Sequence, residues 1–253
     1  MSGFVVFLRK ELTESLKTLR LPIALAVFAL IGVMNPMFAK LMPEIMGGID
    51  LGGVALELPA PTAMDSWAQF YSNVGQLGML TVIIVFSGVM SQELSRGTLV
   101  NLLTKGLGRP AVVAAKFAAA SSVWALCYAL CLSVTAAYTA YYWELDLQNA
   151  AVAFTGVWLV GELLIALLIF GGALTANTYG ALGVTGGAVA ALLVAGIAPS
   201  FERFNPLSLA GSAFALLSGA AAVDYYAPAL AITAASVLLL VAASAAIFRR
   251  KRL

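Results

Sequence analysis

Six apolar runs, each near the length that crosses a bilayer, constrain this chain more than any other feature. They fall at about 21–39, 74–90, 111–139, 151–173, 180–198 and 227–248, and a hydrocarbon core needs about 20 apolar residues per helix. In lipid the backbone must satisfy its own hydrogen bonds, so such runs fold as helices. Composition agrees. Hydrophobic residues make up 62% of the chain and charged residues 10%, whereas a soluble domain carries about 25% charged residues. The expectation is an all-α integral membrane protein, a single transmembrane domain over 1–253 with six transmembrane helices. The third run is longer than a bilayer needs, so it tilts or extends beyond the membrane.

Lysine and arginine placement sets the expected orientation. Arg9, Lys10, Lys17 and Arg20 precede the first span. Arg96, Lys105, Arg109 and Lys116 lie between the second and third, and Arg249, Arg250, Lys251 and Arg252 end the chain. The opposite loops hold only Lys40 and Arg203 of the 14 basic residues. Both termini are therefore read as cytoplasmic. The first span has no small-residue cleavage pattern after it and is expected to stay in the mature chain. The net charge of +2 is not gathered on a soluble face, so it gives no reason to expect nucleic acid as a partner. There is no histidine, which removes the commonest general base and metal ligand. Cys127 and Cys131, one turn apart in an apolar run, read as small buried hydrophobes, and no metal is expected.

The polar segments have their own grammar. Residues 3–19 carry Val5, Leu8, Leu12, Leu16 and Leu19 on one face, with Arg9, Lys10, Thr13, Glu14 and Lys17 elsewhere, the pattern of an amphipathic helix lying on the membrane surface. Pro22 is expected to end it. The first outer segment, 40–72, is rich in breakers, and Asp65 to Tyr71 reads as a short helix with Trp67, Phe70 and Tyr71 at the interface. The stretch Leu207 to Leu217 is too short to cross and reads as re-entrant or interfacial, capped by Asn205 and stopped by Gly219. Gly183 and Gly187 in the fifth run offer a small face for close helix packing, within the subunit or between subunits.

The loop 91–110 is the most polar part of the chain. Glu93 and Arg96 can pair across one turn. Gly97 breaks the helix, Thr98 caps a new one, and Leu99, Leu102 and Leu103 form a stripe before Gly106, Gly108, Arg109 and Pro110. Such an apolar face fits a partner's groove or lies back on the membrane.

The arrangement Glu93…Arg96-Gly97-Thr98-Leu99…Leu102-Leu103-Thr104…Arg109…Lys116 closely resembles the E-x-x-x-G-T-L-x-x-L-L-x-x-P-x-x-R-x-x-x-x-x-x-K pattern of ABC-2 type permeases, the membrane subunits of ABC exporters. The opening Phe7-Leu8-Arg9-Lys10-Glu11-Leu12, then Pro36 and Leu41-Met42-Pro43-Glu44, is similar to the start of the bacterial permeases. The chain departs from the pattern at Gly106-Leu107-Gly108, where the family often has proline. The resemblance implies a short cytoplasmic coupling helix at Leu99–Thr104 that docks on a separate ATP-binding subunit. It implies a connecting helix bearing Arg9, Lys10 and Glu11 that touches the same subunit. It also implies a second permease subunit, in a homo- or heterodimer, with the transport path between the two in the cell's inner (plasma) membrane. ATP and magnesium would sit on the partner. No G-x-x-x-x-G-K-[ST] occurs in this chain, so it is expected neither to bind a cofactor nor to act as an enzyme.

Glu162 is the one ionisable residue near the middle of a run. It reads as a substrate or ion contact, or as an interhelical hydrogen bond to Asn177, Thr175 or Tyr138. The competing class is an ion- or proton-coupled secondary transporter or channel using Glu162, which leaves the loop unexplained.

Overall fold

The computed structural model describes residues 3–47, 59–95, 108–212 and 214–251. Among them every regular element is helical. Helix α1 is Gly3–Lys17 and α2 is Arg20–Gly47. The second crossing is composite: α3 Ala63–Asn73, a π turn Val74–Gly78, α4 Met79–Phe86 and α5 Ser91–Ser95. Then come α6 Arg109–Tyr142, α7 Ala150–Thr175 and α8 Thr178–Ala195. A short α9, Pro199–Glu202, a 3-10 turn Pro206–Leu209 and α10 Phe214–Leu217 lead into α11, Val223–Arg250. Six of these helical stretches are long and apolar enough to cross a membrane. They alternate in direction, so α1 and the end of α11 share one end of the bundle.

Helix α7 is the post around which the others pack. In its most apolar window 72% of residues are buried, against 11% in α8. Glycines let the neighbours close in. A Cβ on Gly171 would lie 2.9 Å from Ala181 Cα, one on Gly172 would lie 3.0 Å from Met90 Cβ, and one on Gly161 would collide with the Trp124 indole. Lipid supplies no hydrophobic force between helices, so this close packing is what holds them.

Pro36 shows how α2 and α6 fit. Its missing N–H leaves the carbonyl four residues back without a helical donor. Thr135 Oγ1 donates to that Gly32 oxygen at 3.2 Å, and Asn35 Nδ2 donates to Thr135 Oγ1 at 3.0 Å. Asn73 Nδ2 then donates to Asn35 Oδ1 at 2.8 Å, which ties in the second crossing.

Three expectations are corrected. The break between α1 and α2 falls at Thr18 and Leu19, where Leu19 takes φ 59°, and Pro22 sits inside the first turn of α2, where its lost N–H has no intrahelical partner to forfeit. The second crossing begins at Ala63 instead of about residue 74. Thr62 and Asp65 start it, with Asp65 Oδ2 accepting from the Thr62 N–H at 2.7 Å and from its hydroxyl at 2.8 Å. Trp67, Phe70 and Tyr71 are buried and do not lie at an interface, because Phe70 packs against Phe154 and Tyr128 with ring centroids 5.8 and 6.0 Å apart. The 207–217 stretch is two short turns. Asn205 caps the first by accepting from the Leu207 N–H at 3.0 Å, and Gly219, at φ 71°, ends the second.

Candidate functional site

Five charged side chains converge at the end of the bundle that holds α1. Helix α1 supplies Lys10, Glu11 and Glu14, α5 supplies Glu93, and α6 supplies Lys116. Lys116 Nζ lies 3.0 Å from Glu11 Oε2 and 2.8 Å from Glu93 Oε2. Lys10 Nζ lies 3.0 Å from Glu11 Oε1, 2.7 Å from Glu14 Oε2, and also pairs with Glu93 Oε1. Glu11 and Glu93 thus each bridge both lysines. Among the described residues, three carboxylates face two ammonium groups.

The elements explain the convergence. Phe7 and Glu11, one turn apart, are the buried residues of α1, and the Phe7 ring lies 5.3 Å from Lys10 Nζ and 5.7 Å from Lys116 Nζ, within cation–π reach. Lys116 is two turns inside α6 and 1% exposed. Burial at that depth requires carboxylate partners. Burial opposes the charge on Lys10, but hydrogen bonds to Glu14, Glu93 and Glu11 outweigh it and raise its pKa above the ordinary lysine value of 10.5. The carboxylates of Glu11, Glu14 and Glu93 lie within 4.8 Å of one another, close enough for a cation, yet the two ammonium groups already occupy that role.

A second set of cations closes helix ends. Arg109 Nη1 donates to the carbonyls of Phe248, Arg249 and Lys251 at 3.3, 2.9 and 2.6 Å. Lys251 Nζ donates to Ala173 O at 2.7 Å and Leu174 O at 3.4 Å. Burial lowers the Lys251 pKa. Terminal carbonyls lack intrahelical donors, and cations there oppose the helix dipole. Arg109 thus seals α11, and Lys251 seals α7. Arg20 Nη2 donates to Gln92 Oε1 at 2.8 Å, and the hydroxyls of Ser91 and Thr178 are 2.9 Å apart.

The sequence-derived residues divide accordingly. Lys10, Glu11 and Glu93 come together. Arg9 is on α1 but exposed, outside the cluster. Arg109 holds the last helix. Glu93 pairs with Lys10 and Lys116, and its expected pairing with Arg96 lies outside the described residues. Arg96, Gly97, Thr98, Leu99, Leu102 and Leu103, with the expected coupling helix, lie outside the described residues. Glu14 and Lys251 were missed as site residues. The spacing of Lys10 and Glu14, one turn apart, was the available signal for Glu14. Lys116 was read within a motif, but its place in an apolar run already called for an acidic partner.

Glu162 is 2% exposed on α7. Its partner is not Asn177, Thr175 or Tyr138. Ser121 Oγ of α6 donates to Glu162 Oε1 at 2.6 Å, and Oε2 has no hydrogen-bond partner among the described residues. Thr175 instead bonds Gly171 O, and Asn177 caps α8 through the Tyr179 N–H.

Fold and sequence together define a multi-pass, all-α membrane protein. No family model matches the chain, and no curated protein matches it.

Proposed function

We propose that this chain is the membrane-spanning permease subunit of an ATP-driven ABC-2 type exporter, working as a dimer and coupled to a separate ATP-binding subunit. The observation that carries the reading is the Lys10–Glu11–Glu93–Lys116 cluster. It ties α1, which resembles the connecting helix, to α5, the last turn before the loop that resembles the coupling helix. A push on that loop is delivered at Glu93 to both α1 and α6. Stiff ion-paired contacts between rigid helices suit a switch between two membrane arrangements. The twelve basic residues on one side of the spans support cytoplasmic termini and a plasma-membrane location. Among the described residues, an added Cβ at Gly183, Gly186 or Gly187 would meet no atom of a neighbouring element within 4 Å, an open small-residue face that suits a second permease subunit.

A second reading rests on Glu162. Its Oε2, without a hydrogen-bond partner among the described residues, and the Ser121 hydroxyl that donates to its Oε1 favour an ion- or proton-coupled transporter, since a buried intramembrane acid is a functional candidate by default.

Co-purification from native membranes in mild detergent separates the two. An ATP-binding subunit accompanies the intact chain and is lost when Leu99, Leu102 and Leu103 are all changed to Asp. An intact chain that brings no such subunit sinks the exporter reading and makes Glu162→Gln the next variant to assay.

A further inference from the structure

Helices α8 and α11 each pack along α7, and a groove of about 680 Å³ lies between them. Leu163, Leu167 and Phe170 of α7 line it, Leu192 belongs to the α8 wall and Leu240 to the α11 wall, and Phe204 stands at its outer end. Its α11 wall runs from Ile232 to Ala243, about 16 Å of helix rise. That length is roughly half the thickness of a 30 Å hydrocarbon core. The groove is formed by three membrane-spanning helices, so the medium beside it is lipid. A slot left empty there would forfeit dispersion contacts along its whole lining.

The outer end carries a charge. The Arg203 guanidinium carbon lies 4.8 Å from the centroid of the Phe204 ring, and among the described residues it is in no ion pair. Its neighbour Glu202 accepts from Tyr225 Oη at 3.3 Å. The other basic residue at this end, Lys40, sits 3.9 Å from the Tyr142 ring centroid. The Asn205 side chain is used up, donating to Leu192 O at 2.9 Å and accepting from the Leu207 N–H at 3.0 Å. An apolar slot about 16 Å long, with an arginine against the Phe204 ring that lines its outer end, offers walls to an acyl tail and a guanidinium to a phosphate head.

We propose that this groove holds one acyl chain of an anionic membrane phospholipid, with the lipid phosphate on Arg203. The site is independent of the exporter reading. It requires only the membrane fold.

Bromine-labelled lipid tests it. The full chain carrying Phe170→Trp is placed in phosphatidylcholine vesicles with rising fractions of phosphatidylglycerol brominated on its chains. The extra fluorescence of the new tryptophan is quenched along a curve that saturates at low brominated fraction. Arg203→Gln moves the half-saturating fraction upward by about tenfold, as loss of a charge-assisted hydrogen bond implies, and the groove-filling Ala191→Phe removes the saturating component. Quenching that simply tracks the brominated fraction, that saturates equally with brominated phosphatidylcholine, or that ignores Arg203→Gln overturns the proposal. Should the Phe170→Trp chain not fold, native mass spectrometry of the unsubstituted protein from phosphatidylglycerol-containing membranes decides. Retained phosphatidylglycerol that is lost in Arg203→Gln supports the site. A lipid-free chain, or a lipid-free dimer closed over the groove, refutes it.

Discussion

A lysine 1% exposed within a membrane helix is tolerable only beside carboxylates, and Lys116 has two within 3.0 Å. Truncating one member of a buried pair strands the others, at about 3–5 kcal/mol. Lys116→Met is therefore expected to lower the thermal midpoint in detergent strongly, and adding Glu11→Gln to restore part of the loss, since the double variant buries one unmatched charge fewer. Lys10 sits differently, with 40% of its side chain exposed, so solvent screens its share. Its folded-state pKa is raised above 10.5, so its contribution is fully present below that pH and is lost only as pH rises through the higher folded value. The midpoint difference between wild type and Lys10→Met should stay constant through neutral pH and close only in strong alkali. Gly161 is a purely steric case. Gly161→Ala drives a methyl into the Trp124 indole and disturbs the 3.0 Å bond from its Nε1 to Trp158 O, an overpacking loss of about 1–3 kcal/mol readable in the same melt.

Among the elements, α11 and α7 end on cations that come from elsewhere in the chain. Arg109→Gln removes donors from three terminal carbonyls of α11. The expected result is faster hydrogen exchange over the last turn of α11, with the middle of the helix unchanged. Equal protection in both chains would remove Arg109 from that role. Sequence reading found the six crossings because hydropathy alone decides them, and it found Asn205 because a cap is a local property. It missed the early start of the second crossing. Trp67, Phe70 and Tyr71 carry the same letters whether they line a headgroup belt or pack on Phe154 and Tyr128, and only tertiary partners tell these apart. It placed the first break at Pro22, where proline is in fact harmless, because nothing local marks Leu19 as the residue that turns left-handed. The charged site was half legible. Lys10, Glu11, Glu93 and Lys116 stood out by charge and motif, but Glu11 and Lys116 are 105 residues apart and no periodicity reports such a meeting.

At the scale of the molecule, charge is sorted by end. Lys10, Arg109, Lys116 and Lys251 all bind at the end that also holds α1, while Lys40 and Arg203 lie at the other. The first end is built of cross-links between helix termini, the second of short turns and an apolar groove. A membrane domain stiff at one end and loosely packed around α8 is suited to being driven from the stiff end, which is why the loop leaving α5 is the expected point of attachment. The most direct measurement of that account is ATP hydrolysis in reconstituted vesicles, by this chain alone and by this chain with any subunit that co-purifies with it. The account predicts no hydrolysis by the chain alone. It predicts hydrolysis by the complex that falls when Glu93→Gln loosens the link to α1 and α6, with the subunit still bound. Hydrolysis indifferent to Glu93→Gln, or absent from every complex the chain forms, would contradict it.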